Sequence, residues 1–272
     1  ADETPVAMLA PGKGKTQRAY LWAYAAACSE PIRAVVYDFT PGRSGEHARI
    51  FLGHDPERRE RDQVPWRGHL VCDDFSGYKA LFELGVIEGG CMAHARRKFV
   101  ELHSANKSSI AGTALELIGQ LYRVERDVRG LDGPDRLQQR RSRPAPIAKP
   151  LHEWMMAHRA KVPPGSATAK AIDYSLNRWA ALTRYLDDPR LPIDNNHDEQ
   201  QIRPWATGRK NWLFAGTLAA GQRAAVITSL IQTAKLNGHD PYVYLKDVLQ
   251  RLPTQRASAI GELLPHRWSP AT

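Results

Sequence analysis

Three acidic residues, far apart in the chain, have the types and settings to do chemistry. Glu199 lies in Leu191-Pro-Ile-Asp-Asn-Asn-His-Asp-Glu-Gln-Gln-Ile-Arg203, ahead of Gly208-Arg-Lys-Asn-Trp-Leu-Phe-Ala-Gly216. It falls in the first turn of an expected helix, ringed by amides and by the cations Arg203, Arg209 and Lys210. Asp2 and Asp73 each sit at the end of an expected strand. Three such carboxylates in a strongly basic chain suggest metal-assisted chemistry on a phosphate backbone. A structural role competes at Glu199. With Asn196 as helix cap, Glu199 stands at the third helical position and closes a capping box. The cations that follow go beyond what a cap requires, and backbone N–H groups at a helix start favour anions. Arg203, Arg209 and Lys210, the last two placed after a short loop, are candidate phosphate contacts; the alternative is ordinary surface charge. Trp212 either stacks on an unpaired base or packs in a strand beside Leu213 and Phe214.

The elements that must position these residues follow from local pattern. Residues 20–27 and 32–39 are rich in aromatic and β-branched types and flank Ser29-Glu30-Pro31, the pattern of a hairpin. Asp2 to Leu9 is the end of a preceding strand, and Pro11-Gly-Lys-Gly-Lys-Thr16 a mobile basic connection. Gly45–Leu52 is a helix, Gly68–Asp73 a strand, Gly77–Leu84 a helix, and Val86–Ala93 contains another strand. Strands alternating with helices imply an α/β fold with some parallel pairing. After His94 the apolar period changes. Ile110, Ala114, Leu117, Leu121, Val124 and Val128 recur at helical steps, as do Leu151, Trp154, Met155 and His158, and Ile172, Leu176, Trp179, Leu182 and Leu186. Residues 95–190 therefore read as an all-helical insertion, a lid or bracing bundle. The arginine-rich stretch 135–143 reads as a solvated helix face.

Bulk properties narrow the class. The chain has 272 residues, 42% hydrophobic, with a net charge of +9 and a pI of about 9.6. A core is attainable, and the basic excess favours a polyanion, nucleic acid ahead of a membrane. No apolar run approaches the ~20 residues of a spanning helix, so no membrane partner is expected. Cys28, Cys72 and Cys91 make no disulfide framework, and a reducing cytoplasm is the expected compartment. Cys91 and His94 have metal-like spacing, but no second pair completes a zinc site; their expected role is structural. Lys13 and Lys15 lack the spacing of a phosphate loop. The chain opens Ala-Asp-Glu-Thr, and a fragment lacking an N-terminal part is expected.

Several motifs together resemble the insertion-sequence-66 family of bacterial transposases. They are Asp-Glu-Thr-Pro-Val at 2–6, Cys-Met-Ala-His-Ala-Arg-Arg-Lys-Phe at 91–99, Leu-Asn-Arg-Trp-Ala-Ala-Leu at 176–182, Asp-Asn-Asn-x-x-Glu-x-x-Ile-Arg at 194–203, Gly-Arg-Lys-Asn-Trp-Leu-Phe-Ala-Gly at 208–216, Ala-Lys-Leu-Asn-Gly at 234–238 and Glu-Leu-Leu-Pro at 262–265. The resemblance implies a ribonuclease-H-like mixed sheet of about five strands flanked by helices. It divides the chain into a core at 1–94 and 191–238, the helical insertion at 95–190, and a C-terminal helical tail at 239–272. It carries the Asp, Asp, Glu triad to Asp2, Asp73 and Glu199, as catalytic and metal-holding residues. The sequence departs from the family at Gln200, where an arginine is usual, at Met92, where a tryptophan is usual, and at the doubled Asp73-Asp74. The resemblance also implies N-terminal DNA-binding regions, which are expected to belong to the part missing ahead of this chain.

Strand cleavage and joining both displace an oxygen at phosphorus. Two Mg²⁺ ions about 3.5–4 Å apart serve that chemistry, and carboxylates suit Mg²⁺, or Mn²⁺, better than a Cys/His set does. Arg96, Arg97 and Lys98, at the start of a helix, are further DNA contacts. The expected partners are transposon ends and target DNA, a second copy of the chain on that DNA, and accessory proteins of the same element near the nucleoid. Two readings compete with the transposase: a nuclease that only hydrolyses, and a decayed remnant that only binds DNA.

Overall fold

The computed structural model describes residues 1–55, 57 and 64–270. In chain order the elements begin with β1 (Asp2–Ala10), β2 (Lys15–Ala25), β3 (Val35–Thr40), α1 (Gly45–Phe51), β4 (His69–Cys72), α2 (Lys79–Glu83) and β5 (Ile87–Gly90). Helices follow: α3 (Met92–Asn106), α4 (Ser109–Val128), α5 (Gly133–Ser142), α6 (Ala145–Arg159), α7 (Ala167–Asn177) and α8 (Trp179–Thr183). The last are α9 (Asn196–Trp212), α10 (Leu218–Leu236) and α11 (Pro241–Arg251). Three strands, helix, strand, helix, strand is the succession that the sequence predicts. The chain forms two compact units, Ala1–Gln63 with His197–Thr272, and Val64–Asn196.

In the first unit, β1, β2 and β3 form an antiparallel sheet in that order. The Pro11–Gly14 stretch joins two paired strands. It is the turn of the β1–β2 hairpin, where Gly12 and Gly14 take φ of 77° and 60°. Glycine adopts that conformation without steric cost. β1 alternates, with Val6, Met8 and Ala10 buried, and Val6 and Met8 join Leu21, Phe39, Ile202, Trp205 and Ala225 in one cluster.

The outer edge of β3 is closed by α10. A stripe of small residues at four-residue steps, Gly221, Ala225, Ser229 and Thr233, runs along that helix. Gly221 allows the closest approach, since a Cβ there would stand 2.3 Å from the Phe39 ring. The hydroxyls then satisfy the strand's outward groups. Thr233 Oγ1 accepts the Val35 N–H (3.1 Å) and donates to the Val35 carbonyl (3.0 Å), and Ser229 Oγ accepts the Tyr37 N–H (2.8 Å). A sheet edge needs such cover to avoid pairing with other chains. Thr233→Val keeps the shape and leaves two buried backbone groups unserved. The expected cost is about 1–3 kcal/mol, read by chemical denaturation and by faster hydrogen exchange at the Val35 amide. Further along, Tyr244, Val248, Leu263 and Trp268 pack on Ala234 as a separate cluster.

In the second unit, β4 and β5 pair in parallel, from His69↔Ile87 to Cys72↔Gly90. Parallel neighbours require a crossover, and a 3₁₀ turn (Ser76–Tyr78) with α2 provides it. Gly90 lets β5 reach α8, since a Cβ there would meet the Leu182 nitrogen at 2.9 Å. The helices pack around Phe99, Ile118, Leu121, Leu151, Met155 and Ile172. The expected single sheet of five strands is seen as two sheets, of three antiparallel and two parallel strands.

Stretch 135–143 is not simply a solvated face. Arg140 is only 2% exposed. It holds Glu125 with two nitrogens (2.9 and 2.6 Å) and donates to the Tyr185 and Asp188 carbonyls. Among the described residues no helix is long and apolar enough to cross a membrane.

Candidate active site

The first unit holds two of the three candidate carboxylates. Asp2 opens β1, rather than ending a strand, and lies opposite Ala23 of β2. It is half-buried, and its Oδ1 accepts the Glu3 N–H at 2.9 Å. Glu199 is half-buried in the first turns of α9. That turn is held against the start of the sheet. Cys28, just past β2, sits 3.3 Å from His197 through Sγ and Nδ1. Deeper along α9, Ile202 and Trp205 bury against the sheet, and the Gln201 carbonyl accepts the Tyr37 hydroxyl at 2.5 Å. Burial, with the Asp198 charge second, pushes the Tyr37 hydroxyl well above the ordinary tyrosine range, which keeps it a donor.

The basic residues beyond Glu199 divide. α9 runs unbroken from Asn196 to Trp212 through Pro204, so no loop separates Arg203 from Arg209 and Lys210. Arg203 and Lys210 are exposed. Arg209 is turned to β1, where it donates to Thr4 Oγ1 (2.9 Å) and the Pro5 carbonyl (2.6 Å). It clamps helix to strand. Trp212 ends α9 and stands edge-on to Trp205, with ring centroids 5.5 Å apart. It lies in no strand; the strand-like contact is a single bridge between Ala215 and Met8.

The second unit holds Asp73, immediately after β4 and half-buried. Its Oδ1 accepts the Phe75 N–H at 3.0 Å. Asp74 is exposed and lies 3.6 Å from Arg178. Arg178 is buried, reaches Glu88 at 2.6 Å, and lies over the Tyr174 ring. A cavity of about 230 Å³ opens here, lined by Asp73, Asp74, Lys79, Tyr174, Asn177 and Arg178 among others. Arg178 lies inside the 176–182 motif, whose composition assigns it no task. The available signal was a lone cation between the apolar Leu176 and Trp179.

Lys98 has its ammonium 4.6 Å from the Tyr174 ring centre, while Arg96 and Arg97 are exposed. All three lie past the start of α3, which begins at Met92. Cys91 is buried, and its Sγ accepts the Asn195 N–H at 3.3 Å. The stretch before α9 is held by Asp194, and the helix itself begins at Asn196. The Asp194 carboxylate accepts the Asn196 N–H (3.1 Å), the Asn196 amide (2.8 Å) and the Tyr122 hydroxyl (2.7 Å). Burial and that carboxylate hold the Tyr122 hydroxyl protonated far above its usual range.

Comparison with known proteins adds the family. Residues 1–223 match the family model described as Transposase IS66 family, and residues 229–266 match the IS66 C-terminal element. An uncharacterised protein y4qI of Sinorhizobium fredii is 38% identical over 286 residues, covering 99% of this chain and 50% of that protein. Another from the same organism, y4jD, is 34% identical over 282 residues, covering 98% of this chain and 53% of that protein. The chain spans about half the length of these curated relatives. No solved structure matches it. With one family model running from the Asp2 strand through the Glu199 helix and a second covering the helical end, the chain belongs to the IS66 family of transposases.

Proposed function

We propose that this chain is the catalytic part of a transposase that cuts and joins DNA strands with the help of divalent cations. The observation that carries the reading is the 3.3 Å contact between Cys28, just past β2, and His197, which sets the end of β2 that runs beside Asp2 against the first turn of α9. Asp2, opposite Ala23 of β2, and Glu199, two residues after His197, lie on its two sides. Asp73 directly follows a strand whose parallel partner is reached through a helical crossover, an arrangement in keeping with a ribonuclease-H-like core.

Asp2, Asp73 and Glu199 are the residues that would hold two Mg²⁺ or Mn²⁺ ions. The donor set fits: three carboxylates supply hard oxygen ligands and no soft ones. Backbone N–H groups on one oxygen of Asp2 and of Asp73 orient those side chains. When bound, such ions lower the barrier at phosphorus by stabilising the attacking and leaving oxygens. The rest falls to the chain. Arg203 and Lys210 bind phosphates on either side of the scissile linkage, and Arg209 keeps α9 in place on β1. Arg96, Arg97 and Trp212 extend the contact along the DNA. Water is the nucleophile for cleavage, and the freed 3′-hydroxyl attacks target DNA for joining. The partners are transposon ends and target DNA, engaged by more than one copy of the chain in the cytoplasm at the nucleoid.

Magnesium or calcium titration tests the site. Saturating metal should raise the melting temperature, by about 2.7 kcal/mol of added stability at a hundredfold excess over the dissociation constant. Branched strand-transfer products from a pre-cut end distinguish joining from hydrolysis alone. A flat melting temperature together with no product in Mg²⁺ or Mn²⁺ would leave only a DNA-binding remnant.

A further inference from the structure

The end of α9 carries a feature that phosphate binding leaves unused. The Leu213 N–H still closes on Arg209 at 3.1 Å, but the Phe214 N–H folds back to the Trp212 carbonyl at 2.7 Å. A hydrogen bond spanning one residue, with Leu213 at φ 64°, is the strained hand of the three-residue turn. Bulky side chains avoid that conformation; glycine and asparagine tolerate it. The turn is also pinned from the far side, where the Ala215 N–H donates to Ala7 (2.8 Å) and the Leu9 N–H to Ala215 (2.9 Å). A rigid mount thus presents three large apolar side chains to solvent. Leu213 is 65% exposed, Trp212 41% and Phe214 42%.

The surroundings say what such a tip meets. From Gln200 to His239 the chain carries Arg203, Arg209, Lys210, Arg223 and Lys235 and no acidic residue. From Thr4 to Ser29 it carries Lys13, Lys15 and Arg18 and again none. The hairpin brings that second group alongside, since Leu9 and Ala10 lie opposite Thr16 and Lys15 while Leu9 is bonded to Ala215. Apolar groups framed by cations match a polyanion with an apolar interior, which describes DNA with its base stack parted.

We propose that the Trp212–Phe214 turn is a wedge that enters a base step and unstacks the DNA, with Leu213 at its tip. This rests on the DNA-processing reading above and adds a deformation step to it. Holding the tip rigid removes the need to order it on binding, and neighbouring cations fix the phosphates on each side of the opened step.

The test uses the full chain and short duplexes with 2-aminopurine at successive positions next to a cut 3′ end. Fluorescence should rise several-fold at one or two adjacent positions. Leu213→Gly accepts the backbone conformation while removing the tip, and Phe214→Ala shortens its flank. Each should abolish the rise and weaken binding about five- to tenfold. The dependence of affinity on salt should stay unchanged, because the phosphate contacts remain, and the melting temperature should not fall. Binding with no rise at any position overturns the wedge and leaves the transposase reading intact. A rise that persists in both variants also overturns it. A changed monomer–dimer balance in Leu213→Gly without any fluorescence change would assign the turn to protein contact instead. Absence of DNA binding altogether would remove both proposals.

Discussion

Glu199→Gln should abolish metal-dependent joining of a pre-cut DNA end, with a loss of about a thousandfold or more. That factor is what several kcal/mol of lost charge stabilisation amounts to. Glutamine keeps the size and polarity of the side chain and removes its negative charge. Its amide oxygen is a poorer ligand for a hard cation than a carboxylate. The fold should be indifferent to the change. Ile202 and Trp205 anchor α9 in the core, and Arg209 ties its last turn to β1 through Thr4 and Pro5. Asp73→Asn should match the loss. The adjacent Asp74→Asn is the control: Asp74 is exposed and lies 3.6 Å from Arg178, a pairing worth little in solvent. It should retain most activity. The measurement is strand-transfer product in Mg²⁺, with circular dichroism and the melting temperature recorded on each variant. Full joining by Glu199→Gln would remove that residue from the mechanism. Equal losses at Asp73 and Asp74 would show that the loop, and not one carboxylate, is what matters.

The largest effect on stability should come from Arg140→Met, at about 3–5 kcal/mol. Arg140 is buried, and its guanidinium serves four acceptors: both Glu125 oxygens and the Tyr185 and Asp188 carbonyls. It also lies over the Tyr185 ring, 5.1 Å from the centroid. Methionine fills much of the space but leaves Glu125, itself only 12% exposed at the side chain, charged and without its partner. Two carbonyls lose their donor as well. Removing one member of a buried pair costs more than removing both. Glu125→Leu added to Arg140→Met should therefore recover part of the loss. Urea denaturation of the single and double variants measures this cycle. A single-variant loss under 1 kcal/mol would mean that water reaches Glu125 and that the pair is not a support of the helical unit.

Tyr185 belongs to the same network. Burial, with the Glu125 charge second, pushes its hydroxyl well above the ordinary tyrosine range. Ionising it would place a second negative charge beside Glu125. The folded-state value is raised, so the contribution to stability is complete below the ordinary tyrosine value and declines as pH climbs past it. The helical unit should lose stability in strong alkali, and Tyr185→Phe should reduce that loss.

The order of strands and helices was legible along the chain, and three acidic candidates were picked out by type and setting. Both are local signals. Apolar period separates strand from helix, and acidic residues beside strand ends and helix starts stand out by type. The seven motifs that resemble a transposase family lie in a sequence that does belong to it. What the tertiary structure decided concerns partners that are distant in sequence. Trp212, Leu213 and Phe214 have strand composition, yet α9 runs to Trp212 and a strained turn follows it. Arg140 sits in a charge-dense stretch that reads as solvated, but Glu125 and two carbonyls draw it inside. Arg209 reads as a phosphate ligand and is spent on β1. Gly221, Ala225, Ser229 and Thr233 have no amphipathic contrast to advertise a buried face, because small residues and hydroxyls let α10 seal the edge of β3. For Arg140 and for the edge of β3 the deciding energy is the desolvation of a polar group, and that depends on which surface the fold brings to meet it.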